Sequence, residues 1–133
     1  MSHKKSQAIL IVEDEPDEVA YLKTLFTDAG FRVISAANGH DGFEKAKAEH
    51  PDLITLDISM PEESGVRLFR DLQGDGDTAN IPVVMITGVT HDFKHFIENR
   101  RQVHPPAGYF DKPPDREQLL AKINEILSVS PIQ

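Results

Sequence analysis

The sequence contains no cysteine and no tryptophan among its 133 residues. Without cysteine the chain can form neither a disulfide nor a thiolate-ligated metal site, which is typical of proteins that work in a reducing cytoplasm. No apolar run approaches the roughly 18 residues that a membrane-spanning helix requires. Residues 1–7 are not followed by the apolar core of a signal peptide. We therefore expect a cytoplasmic protein that does not interact with a membrane.

Positive charge is also scarce, since 14 Lys and Arg stand against 22 Asp and Glu, and the formal net charge is −8. Contacts to a phosphate backbone need clustered Lys and Arg, so this composition argues against direct binding to nucleic acid. A hydrophobic fraction of 39% and a charged fraction of 27% are ordinary for a globular chain, and the length suits one domain. We assign that domain to residues 8–128 and interpret 1–7 and 129–133 as flexible tails.

Short apolar runs alternate along the chain with segments of helical periodicity, and Gly30 is placed to end the first helix. The predicted strands span about 9–12, 31–36, 53–56, 83–86 and 108–111. The predicted helices span about 16–29, 40–49, 65–73, 91–102 and 113–127. Strands joined by helix-length connections pair in parallel. The pattern therefore predicts an α/β fold of (βα)5 type, with a five-stranded parallel sheet between two layers of helices.

Chemically distinctive side chains follow four of these strands. The acidic pair Glu13 and Asp14 follows the first strand, Asp57 the third, Thr87 the fourth and Lys112 the fifth. Open parallel sheets bind ligands outside the carboxyl ends of their strands. We therefore expect these five side chains to form one composite site.

Each of these residues also has an ordinary explanation when it is taken alone. Asp14 could cap the first helix, Thr87 could be a β-branched strand end, and Lys112 a solvated surface lysine. Their joint occurrence in this order favours the site. By contrast, His91 and His95 lie four residues apart without a third ligand, so we interpret them as solvated surface.

Four motifs resemble, in order and spacing, the receiver domain of two-component response regulators. They are ILIVEDEPD at 9–17, LITLDISMP at 53–61, PVVMITG at 82–88 and Asp111-Lys112-Pro113. The resemblance covers roughly residues 8–128. It implies a flavodoxin-like, doubly wound three-layer fold and phosphorylation on an aspartate, which would be Asp57.

The resemblance also implies a magnesium ion. A carboxylate is a poor nucleophile toward phosphorus, and clustered acids repel an incoming phosphoryl group, so a divalent cation that bridges the two removes both obstacles. By resemblance, Asp14 and Asp57 ligate Mg²⁺ directly, Ser59 contributes its backbone carbonyl, and Glu13 acts mainly through water.

The same resemblance implies that three further residues contact the phosphoryl group or respond to it. Lys112 would pair with the phosphoryl oxygens, and the Thr87 hydroxyl would hydrogen-bond to them. Movement of Thr87 would leave space that Tyr109 rotates to fill. The surface formed by the predicted fourth helix, the fifth strand and the last helix would then change its affinity for partners.

Two residues are positioned to set the lifetime of the phosphorylated state. Ser59, two residues after Asp57, and Val89, two residues after Thr87, would flank the route by which water reaches the phosphoryl group. Neither side chain has a charge or a strong base. We therefore predict only modest self-dephosphorylation.

The predicted function is that of a signalling switch that takes a phosphoryl group from a histidine kinase or a histidine phosphotransfer protein. With no output domain in these 133 residues, it would act on a downstream protein effector, relay phosphate, or be part of a larger regulator. A homodimer that forms on phosphorylation is also compatible with the resemblance. We do not expect an enzyme beyond catalysis of its own phosphorylation and slow dephosphorylation.

Two alternatives differ in class. A phosphohydrolase with an aspartyl-phosphate intermediate needs an acid two residues after its nucleophile, whereas this chain has Ser59 there. A docking module that works without phosphorylation would tolerate a degenerate site. The complete set of acids, Asp57, Thr87 and Lys112 argues against that alternative.

Overall fold

The computed structural model describes residues 7–60, 64–88 and 106–128. Its strands are β1 (Ala8–Val12), β2 (Arg32–Ala36), β3 (Leu53–Leu56), β4 (Val83–Thr87) and β5 (Gly108–Asp111). Its helices are α1 (Pro16–Asp28), α2 (Gly39–Glu49), α3 (Ser64–Gly74) and, last in the chain, α4 (Arg116–Ser128). The helix predicted at about 91–102, with His91 and His95, lies outside the described residues, as do Val89 and almost all of the predicted tails.

The five strands form one parallel sheet in the order β2-β1-β3-β4-β5. Strand order reverses at β1 and β3, so connections run to both sides of the sheet, as in a doubly wound fold. The register pairs Val12 with Leu56, which makes Glu13 and Asp57 leave the sheet side by side. The predicted flavodoxin-like architecture is confirmed.

Hydrophobic side chains fill the space on both faces of the sheet. Successive strand residues point to opposite faces, so β1 contributes Leu10 and Val12 to one core and Ile9 and Ile11 to the other. The first core is closed by Ala46 of α2 and by Leu68, Phe69 and Leu72 of α3. The second is closed by Leu22 and Phe26 of α1 and by Leu119 and Ile123 of α4. Each buried aliphatic or aromatic side chain contributes about 1.5–3 kcal/mol, so both layers hold the strand ends in place.

Local signals account for the helix ends. Pro16 occupies the first turn of α1, and Gly30 follows that helix at a φ of 100° that only glycine adopts readily. The Asn38 side chain accepts a hydrogen bond from the Asp41 amide at 2.8 Å and caps α2.

The last helix begins later than predicted, at Arg116 rather than near residue 113. The reason is a cap: the Asp115 carboxylate accepts a hydrogen bond from the Gln118 amide at 3.0 Å, so Asp115 precedes the first helical residue. Among the described helices, none combines the length and the apolar character that a bilayer crossing demands.

Candidate functional site

Asp57 lies directly after β3 at the carboxyl edge of the sheet, and its residue is only 3% exposed. Its backbone amide donates to the Val12 carbonyl at 3.2 Å, which continues the pairing of β3 with β1. Its Oδ1 accepts hydrogen bonds from the Ser59 amide at 2.9 Å and the Ser59 hydroxyl at 2.5 Å. Its Oδ2 accepts one from Lys112 Nζ at 2.9 Å. Both carboxylate oxygens are therefore held in place.

Gly65 gives the loop after Asp57 its close contact with α3. A Cβ atom on Gly65 would lie 2.5 Å from the Asp57 carbonyl oxygen and 2.6 Å from the Ile58 Cα. Only glycine permits this approach. Gly65 was predicted only as the first residue of a helix, although a glycine where good helix formers are favoured was the available signal for this close contact.

Three carboxylates meet beside Asp57. One carboxylate oxygen each from Glu13, Asp14 and Asp57 lie within 4.8 Å of one another. Glu13 and Asp57 are buried, whereas Asp14 is exposed, so one side of the cluster is open to water. Hard divalent cations prefer oxygen ligands together with retained waters. This cluster of acidic residues could therefore hold a metal ion, as the sequence analysis predicted for the same three residues.

Lys112 brings the end of β5 into this cluster. Its amide donates to the Thr87 carbonyl at 3.1 Å. Its Nζ lies 2.9 Å from Asp57 and 3.1 Å from Glu13, with the side chain 18% exposed. Glu15 also reaches the ammonium group, at 4.0 Å, from a side chain that is 65% exposed. Glu15 was not among the predicted site residues, because a residue in the turn before a helix gave no sign that it faced the site.

Burial, hydrogen bonds and neighbouring charges shift the pKa values of these groups in different directions. Burial raises the pKa of Glu13 from 4.5 to about 7, and the negative charge of Asp57 adds to that rise. Burial alone would also raise the pKa of Asp57, but hydrogen bonds from Ser59 and Lys112 outweigh it and hold that pKa below its usual value. Burial alone would lower the pKa of Lys112, but its bonds to Asp57 and Glu13 raise it above the usual range. At neutral pH, Asp57 is therefore ionised and Lys112 is a cation.

Thr87 and Tyr109 lie on the same side of the sheet. Thr87 ends β4 and is fully buried, and Tyr109 pairs in register with Met85, two residues before Thr87. Met85 belongs to the core beneath α2 and α3, and the partly buried Tyr109 packs against that core. Alternation places Thr87 on that same face. The structure thus brings four of the predicted positions, Asp14, Asp57, Thr87 and Lys112, to one edge of the sheet, with Tyr109 beneath it. Val89 lies outside the described residues.

Comparison with known proteins agrees with this arrangement. The family model of the response regulator receiver domain matches residues 9–124. Protein PilH of Pseudomonas aeruginosa is 36% identical over 120 residues, which cover 90% of this chain and 97% of PilH. A CheY-like receiver domain protein of Methanospirillum hungatei superposes with a TM-score of 0.80 at 27% identity, covering 92% of this chain and 94% of the other.

A third similar protein is the receiver domain of a sensor histidine kinase from Pseudomonas aeruginosa, whose structure holds a magnesium ion in the active-site cleft. It shares the fold at a TM-score of 0.77 and 21% identity, over 94% of this chain and all of its own. The parallel five-stranded sheet, the site at its carboxyl edge and the family match lead to one conclusion. This chain belongs to the response regulator receiver domain family, whose members are phosphoacceptor switches of two-component signalling.

Proposed function

We propose that Asp57 is the residue that accepts the phosphoryl group. The observation that supports this most directly is the surroundings of its carboxylate, which is buried, ionised and held by the Ser59 amide and Lys112 beside two further acids. A nucleophile that is oriented before its substrate arrives gains rate, because less motion is lost in the transition state. Asp14 is exposed and Glu13 titrates near neutrality, so neither matches this description.

Mg²⁺ is the cation that we propose for the cluster. Asp14 and Asp57 would ligate it directly, the Ser59 backbone carbonyl would add a third oxygen, and Glu13 would act through water. The donor set of oxygens alone suits a hard cation, and the exposure of Asp14 leaves room for water ligands. When bound, Mg²⁺ neutralises phosphoryl charge and acts as a Lewis acid.

The transfer step uses groups that the structure brings together. An oxygen of Asp57 attacks phosphorus, the bond from phosphorus to the imidazole nitrogen of a phosphohistidine breaks, and the histidine keeps the electron pair and takes up a proton. Lys112 is already 2.9 Å from Asp57 and can follow the new negative charge onto the phosphoryl oxygens. Thr87, buried at the end of β4, would donate its hydroxyl to the same oxygens.

Phosphorylation would change the surface of the protein that binds partners. When Thr87 moves toward the phosphoryl group, Tyr109 on the neighbouring strand would rotate into the space that Thr87 leaves. Both residues share one face of the sheet, which supports coupling between them. The surface that includes β5 and α4 would then bind a downstream effector or a second copy of the chain. Receiver domains in general act between histidine kinases and effectors. Beyond its own phosphorylation and dephosphorylation, we propose no enzymatic activity.

The proposal is tested by phosphorylation with acetyl phosphate and Mg²⁺, followed by intact-mass measurement. The wild-type protein should gain one phosphoryl group, and Asp57→Asn should gain none. Asp28→Asn removes the same charge from an exposed position on α1, and it should be phosphorylated like the wild type. Equal phosphorylation of Asp57→Asn and the wild type would show that Asp57 is not the acceptor.

A further inference from the structure

The Ser59 hydroxyl occupies a position on Asp57 that the proposed reaction needs. A carboxylate oxygen has about two lone-pair sites for hydrogen bonds. Oδ1 of Asp57 accepts from both the Ser59 amide, at 2.9 Å, and the Ser59 hydroxyl, at 2.5 Å, so its sites are filled. Oδ2 accepts a hydrogen bond from Lys112 at 2.9 Å.

Phosphorylation of Asp57 requires one lone-pair site on each of its two carboxylate oxygens. This requirement rests on the proposed function of Asp57. One oxygen forms the bond to phosphorus, and the other must remain as the metal ligand. The two cannot be the same atom, because an oxygen that is esterified to phosphorus has lost its charge and is a poor ligand. Oδ1 must therefore release one of its two donors, whether it becomes the nucleophile or the ligand.

The two donors on Oδ1 differ in their freedom to leave. The amide belongs to the backbone directly after Asp57, and Gly65 packs against that backbone at Asp57 and Ile58. The hydroxyl rotates about a single side-chain torsion, and Ser59 is exposed, so water can replace its partner. Movement of Lys112 does not help, because Lys112 bonds to Oδ2.

We propose that the Ser59 hydroxyl holds Asp57 before phosphorylation and must turn away before Asp57 can bind both the metal and the phosphoryl group. Ser59 is then a positioning residue that slows phosphorylation. This role is distinct from control of water access after phosphorylation, because it acts before transfer.

The test is the Ser59→Ala variant, which deletes the hydroxyl but keeps the amide. The second-order rate constant for phosphorylation by acetyl phosphate is measured at Mg²⁺ concentrations below saturation. Mg²⁺ affinity is measured separately by calorimetry. We expect the rate constant to rise about three- to tenfold, since a hydrogen bond no longer has to be broken. A tighter Mg²⁺ affinity would assign Oδ1 as the ligand, and an unchanged affinity would assign it as the nucleophile. Ser128→Ala, which deletes an exposed hydroxyl on α4, should behave as the wild type.

A second measurement follows the orientation of the Ser59 hydroxyl. Three-bond couplings in the wild-type protein report the Ser59 side-chain torsion, which should change between the metal-free and the phosphorylated states. A rate constant that is unchanged or lower in Ser59→Ala, or a torsion that stays constant, overturns the inference. Phosphorylation of Asp57→Asn would instead contradict the choice of acceptor, so the two failures are distinguishable.

Discussion

The ammonium group of Lys112 lies 2.9 Å from Oδ2 of Asp57, although 55 positions separate the two residues in the chain. The bond crosses from the end of β5 to the end of β3, over the intervening strand β4. It therefore joins the carboxyl ends of β3 and β5, and it places a cation beside the carboxylate that we propose as the phosphoryl acceptor.

Replacement of Lys112 by methionine should destabilise the metal-free protein. The side chain keeps its apolar stem, but Asp57 and Glu13 lose a cation at 2.9 and 3.1 Å. We expect a loss of about 2–4 kcal/mol in the free energy of unfolding, because two largely buried carboxylates are left without their partner. Urea unfolding in the presence of a chelator measures this loss. Lys122→Met removes a cation that faces a more exposed carboxylate at 3.8 Å and should cost under about 1 kcal/mol. Equal losses would contradict the importance of the Lys112 bonds.

The raised pKa of Glu13 predicts a pH dependence of stability in chelator. Its pKa rises from 4.5 to about 7 on folding, so between these values the native state binds a proton that the unfolded state lacks. Stability from this group is therefore full below about pH 4.5 and is lost as the pH rises toward 7. Glu13→Gln cannot titrate, so its stability should fall less between pH 5 and pH 8. Melting curves at both pH values decide this, and parallel losses in the two proteins would refute it.

Mg²⁺ should stabilise the wild-type protein by binding its native acid cluster. The gain follows RT ln(1 + [L]/Kd), or about 2.7 kcal/mol at one hundred times Kd. Asp57→Asn replaces one of the three clustered carboxylates and should gain less from the same Mg²⁺. Thermal melts with chelator and with Mg²⁺ measure both gains, and Asp28→Asn is the matched control. An equal gain in Asp57→Asn and the wild type would show that Asp57 is not a ligand.

Glu15 should slow phosphorylation by highly charged donors. Its carboxylate lies 4.0 Å from Lys112 at the exposed mouth of the site, where it adds negative charge that the metal and Lys112 do not offset. For Glu15→Gln we expect the rate with acetyl phosphate to rise about two- to fivefold, with a smaller rise for the less charged phosphoramidate.

The control for this prediction is Glu49→Gln, which changes the net charge equally. Glu49 ends α2 at the opposite edge of the sheet and is exposed. Its rates should match those of the wild type with both donors. A rise for Glu15→Gln that is the same for both donors would argue against charge as the cause.

Thr55→Val should stabilise the protein. Thr55 lies in the middle of β3, 1% exposed, and its Oγ1 has no hydrogen-bond partner within the described part of the chain. An unpaired buried hydroxyl costs about 1–3 kcal/mol, and valine has nearly the same shape, so we expect a gain of about 1 kcal/mol in urea unfolding. Thr55→Ala removes the hydroxyl and a methyl group, so it should gain less or lose stability. A destabilised Thr55→Val would mean that the hydroxyl has a partner after all.

Much of the fold and of the site was predictable because both depend on local patterns. A strand ends where its apolar run ends, so the position of Asp57 at a carboxyl edge followed from the four residues before it. Helix-length connections required parallel pairing, which brought Thr87 and Lys112 to that same edge. The start of the last helix was placed too early, because Pro113 and Pro114 suggested an N-terminus whereas Asp115 supplies the cap.

The tertiary structure alone decided how these groups interact. Strand order and register set the 2.9 Å contact of Lys112 with Asp57 and the approach of Glu15, and no pattern within one segment determines distances between segments. Glu13 and Asp57 are equally buried, but hydrogen bonds from Ser59 and Lys112 lower the pKa of Asp57, whereas the pKa of Glu13 is raised. The turn after β3 directed the Ser59 hydroxyl onto Oδ1 of Asp57. The sequence determined which chemical groups meet at the sheet edge, whereas packing determined their solvation and partners, because both depend on atoms that are distant in the chain.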